Sequence, residues 1–384
     1  MKVLYVIEGG LPYGSNRSLI GLIKHFHNIG LEMSVVGKDD GIMKQWVESL
    51  GLMYFPMNVE FFIYPRFNTL SRKLLFPLFL MGRITTNLIT LIKIIALCRK
   101  IKPDLIHTNV GPISVGYYAS RILKIKHVWH LREFQDLDFG MKFFPSKNSY
   151  TSRLKRSDCV ICVSKAVARH FNQSQESVIY NGVYSRSCAP PIKNKENYLL
   201  FAANLQPSKG IEEALSAYLK LKVLDQTGIK FFIIGDGKPE YVDKLKSIAG
   251  EQMRNGNIQF FGYRDDIPRW MQRAKAVIVA SEHEGFGRVA AEAMFNGSLV
   301  VGKKSAGTAE LLEPWHGSQI ALLFMDEESL VERMIEAAFM DGGRYTQTVL
   351  AAQQKAVECF SIEGNAEHVL EIYTRLVNLP EQPT

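Results

Sequence analysis

The stretch AVIVASEHEGFGRVAAEAM, Ala276 to Met294, decides the fold. Ala276 to Ser281 form an apolar run of the length and kind expected of a strand buried on both faces. Glu282 to Phe286 then make a polar turn carrying glycine. A helix is predicted from near Gly287, with Val289, Ala290, Ala293 and Met294 on its packed side. A buried strand running into a packed helix is the repeating unit of a parallel α/β sheet. The turn also separates two carboxylates, Glu284 and Glu292. Two acids beside a glycine turn invite an acid/base reading, but Glu284 falls on the loop and Glu292 within the helix. The plain structural alternatives are a carboxylate favoured by the helix dipole for Glu284 and a solvated helix glutamate for Glu292.

The same pattern extends in both directions. Strands are predicted at 2–7, 33–37, 104–108, 127–131 and 159–163, then at 198–203, 230–235, 258–262, 276–281 and 298–302. Leu19, Leu22, Ile23 and Phe26 give one apolar helix face between the first two, and Val369, Ile372, Tyr373 and Leu376 mark a closing helix. The seam is SRSCAPPIKNKEN, 185–197, where Pro190-Pro191 and polar residues interrupt both periodicities. A chain of 384 residues suits two domains. The expected fold class is therefore α/β, with two doubly wound domains in tandem. Ligands are expected beyond the carboxyl ends of the strands, in the cleft between facing sheets.

Charge is unevenly spread. Residues 1–190 hold 25 Lys/Arg against 12 Asp/Glu, and the remainder 21 against 26. The segment 61–103 has eight basic residues and no acid: Arg66, Arg72, Lys73, Arg83, Lys93, Arg99, Lys100 and Lys102. They interleave with LLFPLFLMG and NLITLIKIIAL, yet Arg83 and Lys93 break the run short of the ~20 apolar residues that span a bilayer. Apolar-plus-basic without spanning length reads as a surface lying on an anionic membrane. A core helix with solvated Lys and Arg is the alternative. Nucleic acid is not expected, since the aromatic-basic patches of single-strand binders are not evident and the second half is acidic. The apolar start Met1 to Ile7 runs into a glycine turn without a small-residue cleavage site, so a cytoplasmic location is expected. Five cysteines make no framework, and Cys159 and Cys162 of the CxxC point to opposite faces of a strand. No metal-ligand spacing stands out.

Several strand ends carry candidate chemistry. The first strand ends in Glu8-Gly9-Gly10-Leu11-Pro12-Tyr13-Gly14, and Ser15-Asn16-Arg17-Ser18 opens a helix. A glycine turn at a helix N-terminus can hold an anion, although this one is not a GxGxxG. In the second half, NLQPSKG places Lys209 after the first strand, and IIGDGK ends the second in Gly235-Asp236-Gly237.

EGFGRVAAEAM, followed by GSLVVGKKSAGTAELL, resembles the E-x7-E signature of retaining GT-B glycosyltransferases of family 4, which use nucleotide sugars. KPDLIHTN (102–109), HVWHLREF (127–134), VIYNGV (178–183), NLQPSKG (204–210), FFIIGDG (231–237) and IQFFGYRDDIPRWM (258–271) fall in the order that family shows. The likeness covers nearly the whole chain, densest in 178–312 and looser in 1–135. It implies two Rossmann-like domains facing across a cleft: 1–185 for the acceptor and membrane, 186–358 for the donor, and a helix, 359–384, returning to the first.

Residue by residue, the resemblance implies that Glu284 contacts the donor hexose and Glu292 the ribose. The N–H groups of Gly285, Phe286 and Gly287 face sugar and diphosphate. Lys209 neutralises the diphosphate, which gains charge as it leaves. Asn204 and Gly235 belong to the donor loops, Tyr263 and Arg264 border the base, and His130 contacts the transferring sugar. Gly10, Gly14 and Arg17 line the opposite wall, while Asn16, Arg132 and Glu133 lie on the acceptor side. For His130 and Lys209 the structural alternatives are a core histidine and a surface lysine.

One departure matters. The family commonly has a Gly-Arg pair before this lysine, whose Arg also holds the diphosphate; here the positions read Ala203-Asn204. Arg264, Lys238 and Arg17 are candidate substitutes. The pair Asp136 and Asp138 lies away from the donor strands, so no metal and no other cofactor is expected. The expected activity is retaining transfer of a hexose from a UDP- or GDP-sugar to a lipid-linked glycan, in surface polysaccharide assembly at the inner face of the cytoplasmic membrane. A soluble acceptor, a non-catalytic GT-B partner subunit and a nucleotide-sugar epimerase are the rivals.

Overall fold

A computed structural model describes residues 1–9, 14–39, 41–67, 69–224 and 228–378. They form two compact units: Met1–Gly182 together with the chain from Ile362 on, and Val183–Ser361. Apolar runs form the strands and amphipathic segments the helices, and both units are parallel sheets covered on two sides.

In the first unit the strands are β1 (Lys2–Val6), β2 (Glu32–Gly37), β3 (Met53–Pro56), β4 (Ile63–Pro65), β5 (Leu105–Asn109), β6 (Lys126–Leu131), β7 (Met141–Phe143) and β8 (Cys159–Cys162). The main sheet has the order β3-β2-β1-β5-β6-β8, all parallel, while β4 and β7 form a separate antiparallel ribbon. The period of two in β1 sorts its side chains. Val3 and Tyr5 enter a core shared with Leu19, Leu22, Ile23 and Phe26 and with Val369, Ile372 and Tyr373. Leu4 and Val6 face the other way, toward Ile94, Leu97, Val115 and Ala119. So the chain leaves this unit after Gly182 and returns in the helix Ile362–Asn378, which packs on Gly14–Asn28.

The helix Leu70–Ile101 covers the second face only in part. Asn87, Thr90, Ile94, Leu97 and Cys98 are buried. Leu74, Leu78, Met81, Leu88 and Ile92 follow each other at helical spacing and are exposed. By length and composition its residues Leu74–Ile101 suffice to cross a membrane. Its buried side, however, is pinned by hydrogen bonds from Thr90 Oγ1 to the Asn58 carbonyl (2.6 Å) and between Asn87 and the Glu60 backbone. Arg83 is spent locally, donating to the Ile63 and Phe61 carbonyls (2.6 and 3.0 Å) and pairing with Glu60.

The second unit contains β9 (Glu196–Ala202), β10 (Lys230–Ile234), β11 (Ile258–Phe260), β12 (Ala274–Val279), β13 (Leu299–Lys303) and β14 (Leu322–Phe324). Their order is β11-β10-β9-β12-β13-β14, again all parallel. The order reverses between β9 and β12, and at such a switch the loops leaving adjacent strands diverge and open a crevice. The residues with candidate chemistry sit on those loops.

Three fully buried histidines of the first unit, His107, His127 and His130, have pKa values pushed down mainly by burial, His127 to about 3. His127 is held between Thr108 Oγ1 (2.8 Å) and Ser157 Oγ (2.7 Å). Below about pH 6.5 the unfolded chain protonates these rings and the folded chain does not, so stability falls as pH drops through that value. His127 alone should cost about 2 kcal/mol at pH 5, with the other two acting in the same direction. Urea unfolding at pH 7.5, 6 and 5 measures this, and equal stability across the three would contradict neutral, buried rings.

Candidate functional site

In the second unit the segments after β9, β10, β12 and β13 meet at the carboxyl edge through their backbones. The loop after β9 is fixed by Ala203 N–H on the Ile234 carbonyl (3.1 Å) and Leu205 N–H on the Asp236 carbonyl (2.7 Å). It ends in Gly210, with φ of +71°, where a Cβ would lie 2.2 Å from the Ala280 carbonyl oxygen. This close approach brings Lys209 to the loop after β12. Its Nζ donates to Glu284 Oε1 at 2.5 Å, both side chains about a quarter exposed.

Glu284 is held through its backbone as well. The Gly307 N–H donates to the Glu284 carbonyl at 2.9 Å, and a Cβ on Gly307 would sit 2.5 Å from the Gly285 oxygen. Phe286 is buried against Phe360, ring centroids 5.6 Å apart. Gly287, φ +93°, then caps the helix Arg288–Phe295. Helix-terminal N–H groups in a glycine turn favour an anion. Glu292 is 8% exposed and pairs with Arg288 Nε at 2.7 Å. Thr308 Oγ1 lies against Gly287, buried and without a hydrogen-bond partner among the described residues.

Gly235, φ +136°, would drive a Cβ into the Ala203 carbonyl, and its N–H donates to Gly262 (2.8 Å). Tyr263 and Arg264 follow on an exposed turn, where Arg264 makes a two-pronged contact with Asp266 (2.7 and 3.1 Å). Asn204 and Lys238 are exposed.

The first unit gathers a different set. Arg132, 4% exposed, donates through Nε to Asn109 Oδ1 (2.5 Å) and through Nη1 to Asn181 Oδ1, and its Nη2 lies 3.3 Å from His130 Nδ1. His107 stands beside His130, ring centroids 5.3 Å apart, with its Nδ1 2.5 Å from the Tyr373 hydroxyl. Burial first, then Arg132 and His107, push the His130 pKa far below its usual value. Val110, just after β5, has φ of +81°, a conformation that costs a β-branched residue about 1–3 kcal/mol. Asn16 Nδ2 donates to the Gly9 carbonyl (3.3 Å), Glu133 accepts from Gln135, and Gly14 opens its helix with Arg17 exposed. Gly10 lies outside the described residues.

Two family models divide the chain between them. One described as Glycosyltransferase Family 4 matches residues 13–185, and one described as Glycosyl transferases group 1 matches residues 188–343. The chain belongs to the GT-B glycosyltransferases of the family 4 type.

Among curated glycosyltransferases, it is 28% identical over 232 residues to uncharacterized glycosyltransferase MJ1178 of Methanocaldococcus jannaschii, covering 54% of this chain and 58% of that one. It is 24% identical over 229 residues to the serotype-specific mannosyltransferase WbdA of Escherichia coli, covering 59% of this chain and 27% of WbdA. The matches thus span about half of one relative and a quarter of the other. Among solved structures, Anabaena Alr3699/HepE in complex with UDP superposes with a TM-score of 0.78 at 23% identity, over 98% of this chain and 100% of that one. At that identity the likeness is one of fold. HepE has also been solved with UDP-glucose.

In this glycosyltransferase, sequence reasoning had singled out Lys209 and Glu284 separately, and the structure joins them. It missed Arg288, which the quoted stretch displayed four positions before Glu292, the spacing of a helical ion pair. It also missed Asn109, Asn181, Tyr373 and Thr308, for which a sequence holds no signal beyond a polar residue near a strand end or in a helix. Among the described residues, no group of three His, Cys, Asp or Glu is placed to hold a metal.

Two glycines test the close packing. Gly228 has φ of +66° with nothing among the described residues within 4 Å of an added Cβ, so Gly228→Ala should cost only backbone strain, about 1 kcal/mol. Gly210→Ala adds a collision with a backbone oxygen and should cost about 2 kcal/mol more in urea unfolding. Equal costs would mean that the loop after β9 yields freely.

Proposed function

We propose that the chain transfers a hexose-type sugar, with retention of configuration, from a UDP- or GDP-sugar to a lipid-linked glycan acceptor in surface polysaccharide assembly. The observation that carries the reading is the Lys209–Glu284 contact at 2.5 Å beside the Gly285–Gly287 turn. A cation, a carboxylate and a helix N-terminus converge at the carboxyl edge of a parallel sheet. The UDP and UDP-glucose complexes of HepE and the mannosyltransferase WbdA support a nucleotide-sugar donor.

On this reading Glu292 takes the ribose hydroxyls, Glu284 the hexose hydroxyls, and the N–H groups of Gly285 to Gly287 the diphosphate. The C1–oxygen bond to the donor phosphate breaks while the acceptor hydroxyl oxygen bonds C1 from the same face. The hydroxyl proton passes to the departing phosphate, and Lys209 with the helix N-terminus stabilises its growing charge. No metal is assigned. In the Asp136/Asp138 pair, Asp136 already accepts from His170 (2.7 Å) and Lys147 (3.0 Å), which hold its carboxyl low despite the opposing cost of burial.

A thermal-shift screen against UDP, GDP and their sugars tests the donor, because a ligand of the native state raises its melting temperature. Glu292→Gln should raise KM for the donor about tenfold with kcat within about threefold. A pure kcat defect with unchanged donor binding would restore Glu284 and Glu292 as a catalytic pair. A non-catalytic GT-B partner is the second reading, resting on Asn204 in place of the usual arginine. Donor turnover that Glu284→Ala abolishes would dismiss it.

The acceptor side is assigned to an anionic membrane surface, on the cytoplasmic side. The exposed row Leu74, Leu78, Met81, Leu88 and Ile92 lies on a helix that ends in exposed Lys93, Arg99, Lys100 and Lys102. An apolar row with basic flanks suits the boundary between headgroups and acyl chains. Each cation there adds about 1 kcal/mol with anionic lipid. Changing Leu74, Leu78 and Met81 to Ser, and Lys93, Arg99 and Lys100 to Gln, should abolish co-sedimentation with phosphatidylglycerol vesicles. Unchanged sedimentation would sink the assignment.

A further inference from the structure

We propose that Arg132 is a positioning residue that fixes His130 in the tautomer carrying its proton on Nε2, so that His130 acts on substrate as a hydrogen-bond donor and not as a base. The assignment of a substrate role to His130 rests on the glycosyltransferase reading above; the tautomer itself does not.

A guanidinium has only donors to offer. Arg132 spends Nε on Asn109 and Nη1 on Asn181, and these two side chains, from the end of β5 and from the segment before Gly182, hold its plane. Its Nη2 is thereby brought to 3.3 Å from His130 Nδ1. That nitrogen must accept, so it carries a lone pair, and the ring's one proton is left on Nε2. Nε2 is buried and has no partner among the described residues. An unanswered buried donor costs about 1–3 kcal/mol, which a bound oxygen acceptor would recover.

The surroundings oppose a charged ring. Arg132 faces it from the end of its own strand and His107 from β5, and beyond His107 stand Tyr373 of the last helix and Tyr5 of β1. The named groups are positive or neutral. Burial, Arg132 and His107 together push the pKa well below 6.5, so the ring stays a neutral donor through the working pH range.

Long-range 1H–15N correlation on 15N-histidine protein reads the tautomer directly. For the wild-type chain, His130 is expected to show a protonated Nε2 and a bare Nδ1, unchanged from pH 8 to 5. Arg132→Leu removes the donor and should give mixed tautomers and turnover lower by about 100-fold, while burial still keeps the ring neutral. Arg132→Lys keeps a charged donor and should retain the Nε2 tautomer. A proton on Nδ1 in the wild type, or a wild-type His130 that titrates above pH 5.5, overturns the proposal even if Arg132→Leu fails to fold. The expected tautomer in a chain that turns over no nucleotide sugar would leave the Arg132 lock standing and remove the substrate role of His130.

Discussion

The second unit depends on backbone meeting backbone where a side chain would not fit. At Gly210, Gly235, Gly237 and Gly307 an added Cβ would fall within 2.5 Å of a carbonyl oxygen on a neighbouring loop. Strands only about 5 Å apart leave little room for the loops that follow them. Dropping the side chain at four points lets the segments after β9, β10, β12 and β13 touch through main-chain atoms. The gain is positional. Lys209 and Glu284, 75 residues apart in sequence, meet at 2.5 Å through the tips of their side chains.

The first unit solves a different problem, that of holding polar groups where water is excluded. Its carboxyl edge carries His107, Asn109, His130, Arg132 and Asn181, all less than a tenth exposed. Buried polar groups are tolerable when hydrogen-bonded, and a half-satisfied network is costly. Asn109 and Asn181 answer the guanidinium, and Tyr373 answers His107 while its hydroxyl also lies 3.1 Å from Tyr5. The returning helix is therefore more than a clasp. It supplies a hydroxyl to a histidine of β5 266 residues away and so ties the ring's orientation to the docking of the helix.

Much of this was legible in the sequence. Each of the ten predicted strands formed, because long apolar runs between glycine or polar turns have few other ways to hide both faces. Short edge strands such as β3, β14 and the β4–β7 ribbon escaped notice. Three or four half-buried residues carry too little periodicity, and their partners decide whether they pair. The basic segment 61–103 looked uniform, yet Arg83 turned inward to backbone carbonyls and Glu60 while Lys93 stayed in solvent. That difference follows from which side of the helix faces β4, and charge counting cannot see it. Glu292 looked like a carboxylate awaiting a ligand, and the structure gives it a partner one turn back in Arg288.

That pairing bears on the diphosphate. Lys209 with Glu284, Arg264 with Asp266 and Arg288 with Glu292 each match one cation to one carboxylate. The partly exposed Lys209–Glu284 pair contributes on the order of 1 kcal/mol and is readily exchanged, whereas the Arg288–Glu292 pair is largely buried and holds more firmly. On the proposed reading, a diphosphate bringing two negative charges to the helix N-terminus competes for Lys209 more strongly than a single carboxylate does. When Lys209 turns to it, Glu284 is released with lone pairs free for sugar hydroxyls. Where ribose hydroxyls engage Glu292, its partner Arg288 stands at the first position of the same helix, in a chain whose usual arginine position is Asn204. On that reading donor binding converts the Lys209–Glu284 pair into one contact with phosphate and one with sugar. On the proposed reading, Arg288 at the start of that helix is a more direct substitute for the missing arginine than Arg264 on its exposed turn.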